Sequence, residues 1–253
     1  MYIGALVSGS ALFSFKVFLG MAAVFCIGAG SHPVNDYFDY EIDKMNHPTR
    51  PLPSGVFKPI TAVYISLIFF SLSLVLSSFI NLFCFSINLI GIVLIFVYEF
   101  SFKNKGLVGN MLVAFTVAIS FNYGGAIVGD LFKPIFFTLI TFFVFFGREI
   151  IMDVRDSEGD TQTRVTLPLQ IGKKMAVYVA SSMVIISGVL LFIPFFNGLF
   201  GIWYELLAIP VVLFTLYALS LSLIDLKNVG KTAALLRISM ILGLLLFIIG
   251  IFL

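Results

Sequence analysis

Apolar runs of about 20 residues, parted by short charged loops, constrain this chain more than any other feature. As a helix, a run of that length matches the hydrocarbon thickness of a bilayer. The strands of a membrane barrel are instead alternating segments of about ten residues. Nine runs are legible, near 1–14, 17–36, 59–80, 82–101, 107–129, 132–153, 174–195, 202–223 and 232–252. They predict an all-α membrane protein with about nine transmembrane helices in one bundle. The first run is short for a crossing. Either it is tilted and helped by neighbours, or the natural chain starts further upstream. Hydrophobic residues make up 60% and charged residues 11%, against roughly 25% charged in a soluble domain. Thirty Phe face lipid and fill the core, and some are expected to line a cavity for a long apolar substrate.

Placement of Lys and Arg sets the orientation. With the loops after spans 2, 4, 6 and 8 on one side, 13 of the 15 basic residues lie there, leaving Lys16 and Lys133 opposite. The excess makes that side cytoplasmic. Eleven of the 13 acids share it. The net charge of +2 reflects this mixed face and gives no reason to expect nucleic acid. No basic region precedes the first apolar stretch, so no cleavable signal peptide is expected. Cys26 and Cys84 lie in apolar runs and read as packing residues. His32 and His47 lack ligand-like neighbours, which excludes a zinc site.

The acids are not scattered. "VNDYFDYEID" follows one apolar run and "REIIMDVRDSEGD" another, and the spacing D-x2-D-x3-D occurs in both, as Asp36/Asp39/Asp43 and Asp153/Asp156/Asp160. "TRPLPSGVFKPITAVY" follows the first and "TRVTLPLQIGKKMAVY" the second. The aspartates recur at an offset of 117 and the Thr-Arg at 114. One domain over 1–253 is therefore expected, an internal pseudo-repeat with halves near 1–130 and 131–253, and such folds often place their site between repeats.

At about 100° per helical residue, Asn35, Asp36, Asp39 and Asp43 share one broad face, and Glu149, Asp153, Asp156 and Asp160 form a tighter stripe. So many carboxylates at a membrane surface need a cation. Oxygen ligands without His or Cys suit a hard divalent ion, chiefly Mg²⁺, which commonly completes its shell with water and substrate phosphates. Two opposed acidic faces make a diphosphate clamp, with Arg50, Lys103, Arg148, Arg164 and Lys173 as candidates for the remaining phosphate oxygens. An apolar substrate with a diphosphate head then suits an intramembrane cavity with its mouth at the cytoplasmic interface. Low water access protects an allylic cation formed as the C–O bond breaks.

The two acidic stretches resemble the motifs of the UbiA superfamily of intramembrane prenyltransferases: "NDYFDYEIDKMNHPTRPLPSG" its first, "REIIMDVRDSEGDTQTRVTLPLQIG" its second. The resemblance covers nearly the whole chain. It implies that Asn35, Asp39, Asp43, Asp156 and Asp160 hold diphosphate through Mg²⁺, with Asp36 and Asp153 in support. "YEFSFK" resembles a further family stretch and implies Tyr98 and Lys103 near the site. The motifs most resemble the archaeal ether-lipid members, which transfer a geranylgeranyl group to the hydroxyl of geranylgeranylglyceryl phosphate. The implied partners are a prenyl diphosphate and a lipid acceptor. Asp36 and Asp153 are the candidates to take the acceptor proton, and Arg148 and Lys103 to hold the acceptor phosphate. The multi-pass chain is expected in the cell membrane, with its site facing the cytoplasm. Oligomeric state is left open.

Three other readings compete. An aromatic prenyltransferase would use a flat phenol or quinone acceptor. An ion-coupled carrier would place its acids near mid-membrane, whereas here they lie at helix ends. A CDP-alcohol phosphotransferase would carry D-G-x-x-A-R after its first Asp pair, where this chain reads "DYFDYEID".

Overall fold

A computed structural model describes residues 1–157 and 165–253. Thirteen α-helices follow one another among these residues: α1 (Tyr2–Val7), α2 (Phe15–Phe38), α3 (Tyr40–Asn46), α4 (Pro59–Ser78), α5 (Leu82–Val97), α6 (Gly106–Ala118), α7 (Ser120–Ala126), α8 (Lys133–Asp156), α9 (Leu167–Ile171), α10 (Lys173–Leu190), α11 (Ile193–Phe196), α12 (Ile202–Ile224) and α13 (Val229–Phe252). A π-helical turn, Tyr98–Phe102, continues α5. Eight of the described helical segments are long and apolar enough to cross a membrane.

The expected first span is the one that does not reach that length. Its helix has six residues, about 9 Å of rise against a core of about 30 Å. Ser8, Gly9 and Ser10 end it, with Gly9 at φ +93°. What it has instead is burial: Ile3, Ala5 and Leu6 pack against α7 and the membrane helices beyond it.

Why the helices adhere in lipid is a question of shape and hydrogen bonds, since apolar surface alone gives them no preference for one another. On α4 the buried positions are Ala62, Ser66, Phe70, Ser73 and Ser77, a stripe at steps of three and four with mostly small side chains. It meets Ala23 and Gly30 of α2, where a Cβ at Gly30 would stand 2.8 Å from the Phe70 ring, so the two helices lie close. Ser73 Oγ donates to the Ala23 carbonyl at 2.7 Å. The Asn88 amide of α5 donates to Ser77 Oγ at 2.7 Å, and that hydroxyl also bonds Tyr123 OH of α7 at 2.8 Å. These buried bonds join four helices.

The second tight pair is α8 with α10. Gly147 marks the contact: a Cβ there would stand 2.5 Å from a Val184 methyl and 2.7 Å from the Ala180 carbonyl. Around it Ile150, Ile151, Val177, Val184 and Leu236 form an apolar core. Both pairs have the same plan: a 24-residue helix with acids at its end, then, after a short helix (α3 or α9), the partner packed against it.

Candidate functional site

Asn35 and Asp36 lie in the last turn of α2, and Asp39 caps it. The chain does not leave the helical path there. The Asp39 amide bonds the Asn35 carbonyl at 2.9 Å and the Asp43 amide bonds the Asp39 carbonyl at 2.8 Å, so Asn35, Asp39 and Asp43 keep the four-residue spacing that puts them on one face. Pro33 sits one turn earlier and removes a backbone donor.

The π turn brings a second wall to this face. The Lys103 amide bonds the Tyr98 carbonyl, five residues back, at 2.8 Å. Turns of this kind recur at functional sites. This one aims Glu99 and Lys103 at α2. Asn35 Nδ2 donates to Glu99 Oε1 at 2.7 Å. Lys103 Nζ lies 2.8 Å from Asp39 Oδ1 and 2.7 Å from Glu99 Oε2. The side chains of Lys103 and Glu99 are 8% and 3% exposed, so this is a buried cluster. Further out, Arg50 Nη1 bonds the buried Asp43 at 2.6 Å. Asp36 is half-buried and makes no ion pair or hydrogen bond among the described residues. Glu41 faces outward with Lys44, whose pKa it raises by hydrogen bonding.

A cavity of about 350 Å³ opens beside the cluster, with Asn35, His32, Tyr98 and Glu99 at its polar part and Ile95, Val113 and Val117 as apolar wall. The far wall is α6. Gly109 of α6 lies so close to the π turn that a Cβ would be 2.6 Å from the Phe102 carbonyl. At the next residue of the same helix, about 100° around it, Asn110 Nδ2 donates to Asp153 Oδ2 of α8 at 2.6 Å. Helix α6 thus packs on the π turn on one side and bonds the acidic end of α8 on the other. The loops are joined as well: Lys105 and Val165 form an isolated parallel bridge, and Gly106, at φ +45°, lies where a Cβ would be 2.7 Å from the Val165 carbonyl.

On α8, Asp156 is gripped by its neighbour Arg155 through two bonds of 2.6 and 2.8 Å, in an exposed position. Arg148 bonds Glu149. Lys173 opens α10 after Gly172, which has φ +87°. Asp160 and Arg164 lie outside the described residues. Among the described residues, no cluster of three or more His, Cys, Asp or Glu stands at metal-binding separation, and Asp39 and Asp43 face Lys103 and Arg50. The donor set nonetheless fits a hard divalent ion: an amide and three carboxylates on one helix end, with basic side chains able to turn to phosphate.

Sequence reasoning missed Glu99 and Asn110. Both carried a signal. Glu99 is an acid inside an apolar run, four residues before a lysine, and Asn110 is a lone amide in an apolar helix.

The description "UbiA prenyltransferase family" matches residues 1–252. The chain is 35% identical over 252 residues to a digeranylgeranylglyceryl phosphate synthase of Thermococcus kodakarensis, covering 98% of this chain and 90% of that one. It is 38% identical over 239 residues to the enzyme so named in Methanocaldococcus jannaschii, with coverage of 93% and 84%. A solved structure described for a digeranylgeranylglyceryl phosphate synthase in membranes superposes with a TM-score of 0.87 at 33% identity, over 98% of this chain and 90% of that one. A homologue from Archaeoglobus fulgidus, solved with DMAPP and Mg²⁺, shares the fold with a TM-score of 0.69 at 18% identity, over 97% and 95%.

Proposed function

The chain belongs to the UbiA prenyltransferase family, and from that premise we propose that it transfers a geranylgeranyl group from its diphosphate to the hydroxyl of geranylgeranylglyceryl phosphate, as a digeranylgeranylglyceryl phosphate synthase of archaeal ether-lipid synthesis. The carrying observation is the acidic end of α2. It is held by displaceable basic side chains and opens on a cavity with a polar head and apolar walls. That is the shape of a site for a long apolar chain with an anionic head. The sequence relatives named for this reaction span more than nine-tenths of the chain.

Mg²⁺ is the cofactor in this reading, held by Asn35, Asp39, Asp43, Asp156 and Asp160; when bound it neutralises the departing diphosphate. Lys103 and Arg50 pair with aspartates and, with those acids holding a metal, would be available to the phosphate oxygens. Arg148, Arg164 and Lys173 complete the cationic rim. Ile95, Val113 and Val117 keep water from the allylic carbon, and the Tyr98 ring offers its face to positive charge. Asp36, without a partner among the described residues, takes the acceptor proton. Asp153, already engaged by Asn110, is the second candidate. The repeat halves, near 1–130 and 131–253, each contribute one acidic end to a single site.

Purified protein supplied with Mg²⁺, labelled geranylgeranyl diphosphate and a panel of acceptors tests this directly. Geranylgeranylglyceryl phosphate is the expected acceptor. Prenylation of 4-hydroxybenzoate or a dihydroxynaphthoate, with the lipid ignored, replaces the reading by the aromatic one. The site faces the cytoplasm of the cell membrane. A cysteine at the exposed Ser54, in a chain lacking Cys26 and Cys84, is then labelled by an impermeant thiol reagent only from that side.

A further inference from the structure

A second cavity lies away from the acidic ends, among α8, α10, α12 and α13. Its volume is about 240 Å³, and Phe145, Gly188, Val212, Leu244 and Phe247 are among its walls. Three of the hydroxyls along it are already engaged. Thr215 bonds Ser239, and Ser187 donates to the Ile140 carbonyl at 2.8 Å. One lining residue is charged, Arg237.

Arg237 is the ninth residue of α13, about 12 Å along the axis from the helix start. It is exposed, and it has no ion pair or hydrogen bond among the described residues. The acids that pair elsewhere, on α2, α3, the π turn and α8, are bound to other cations. Guanidinium does not shed its proton, and a charge within a helix long and apolar enough to cross a membrane calls for a counter-charge. From Arg237 the cavity follows α13 to Phe247, about 15 Å further and away from the acidic helix ends. A cation at one end of an apolar slot fits an amphiphile with an anionic head and a long tail.

We propose that this groove is a lipid site separate from the acidic one, holding a phosphate-headed lipid with its phosphate on Arg237 and one chain along α13 between α10 and α12. Free phosphate would find a single cation and apolar walls. A zwitterionic lipid would bring its own cation against Arg237. Gly188 gives independent access to the slot: a Cβ there meets only Val212 methyls, at 3.7 and 3.9 Å, so a larger side chain projects into the cavity without striking backbone.

The full chain, in detergent with EDTA, is examined by native mass spectrometry with dioleoyl phosphatidic acid, dioleoyl phosphatidylcholine or inorganic phosphate. One phosphatidic acid is expected to be retained about tenfold more tightly than phosphatidylcholine, as a charge-assisted bond implies. Arg237→Gln should abolish that preference, Arg237→Lys should keep part of it, and Gly188→Phe should weaken both lipids. Equal retention of the two lipids by the wild-type chain, or full preference in Arg237→Gln, overturns the proposal and leaves Arg237 as a side chain reaching for the membrane surface. Lipid retention unchanged in Gly188→Phe removes the groove from it. Inorganic phosphate held as tightly as phosphatidic acid removes the tail.

Discussion

The acidic ends of α2 and α8 carry aspartates at one spacing, in opposite surroundings. On α2 the partners come from elsewhere in the fold: Glu99 and Lys103 from the π turn, Arg50 from the following loop. Glu99 and Lys103 are buried beside Asp39, and half-exposed Arg50 covers the buried Asp43. On α8, Asp156 takes the residue beside it, in water, and the longer-range bond is from Asn110 to Asp153. A spacing of aspartates therefore specifies where carboxylates point and leaves open how firmly they are held. The first end is a preset frame whose cations must be displaced. The second, among the described residues, is met by an exposed arginine beside it and by the Asn110 amide.

Removing one aspartate from each end should separate the two. Asp39→Ala and Asp156→Ala are both expected to lose more activity than the about 10–100-fold that follows loss of an outer partner of a metal. Only Asp39→Ala should also lower the thermal midpoint, because it takes a partner from buried Lys103. Asp156→Ala gives up an exposed pair worth about 0–1 kcal/mol. Near-wild-type turnover in either variant defeats the clamp. Equal thermal midpoints defeat the contrast.

Glu99→Gln comes next. Glu99 fixes which way the Asn35 amide points, leaving its oxygen for a metal, and it shares Lys103 with Asp39. Affinity for Mn²⁺, read by paramagnetic relaxation of water, should weaken about 10–100-fold. Unchanged affinity would make Glu99 a partner of Lys103 alone.

A smaller loss is expected from Asn110→Ala. It leaves one Asp153 oxygen without its donor, a cost of about 1–3 kcal/mol, and should lower kcat more than it raises KM for the prenyl diphosphate. The reverse split would place Asp153 in substrate binding. Smallest of all, Arg155→Ala should move stability by no more than about 1 kcal/mol in a denaturant titration. A larger change would mean that the second end is as firmly framed as the first.

Much of this was legible in the chain. The apolar runs gave the membrane class, and the paired aspartates gave the two helix ends, because both are local in sequence. The bonds between elements were not. No periodicity says that residue 35 meets residue 99, or 110 meets 153; those contacts exist because the π turn meets α2 and α6 meets α8. The short α1 shows the other limit. Fourteen mainly apolar residues suggest a crossing, yet Ser8-Gly9-Ser10 ends the helix after six residues, and tertiary packing decides where those six go.

The π turn makes the interval between Tyr98 and Lys103 a matter of counting. Five residues span a turn that an α-helix would close with four, and within it Glu99 and Lys103 meet each other while Glu99 takes the Asn35 amide and Lys103 pairs with Asp39. Phe100 is 71% exposed, with its ring against Phe38 and Phe96. Its place in the count matters separately. Wound as a plain α-helix, the same residues would carry the chain before the turn about 100° further around the axis relative to Lys103; the wider turn absorbs that extra residue. In this stretch the number of residues carries information that their identities do not.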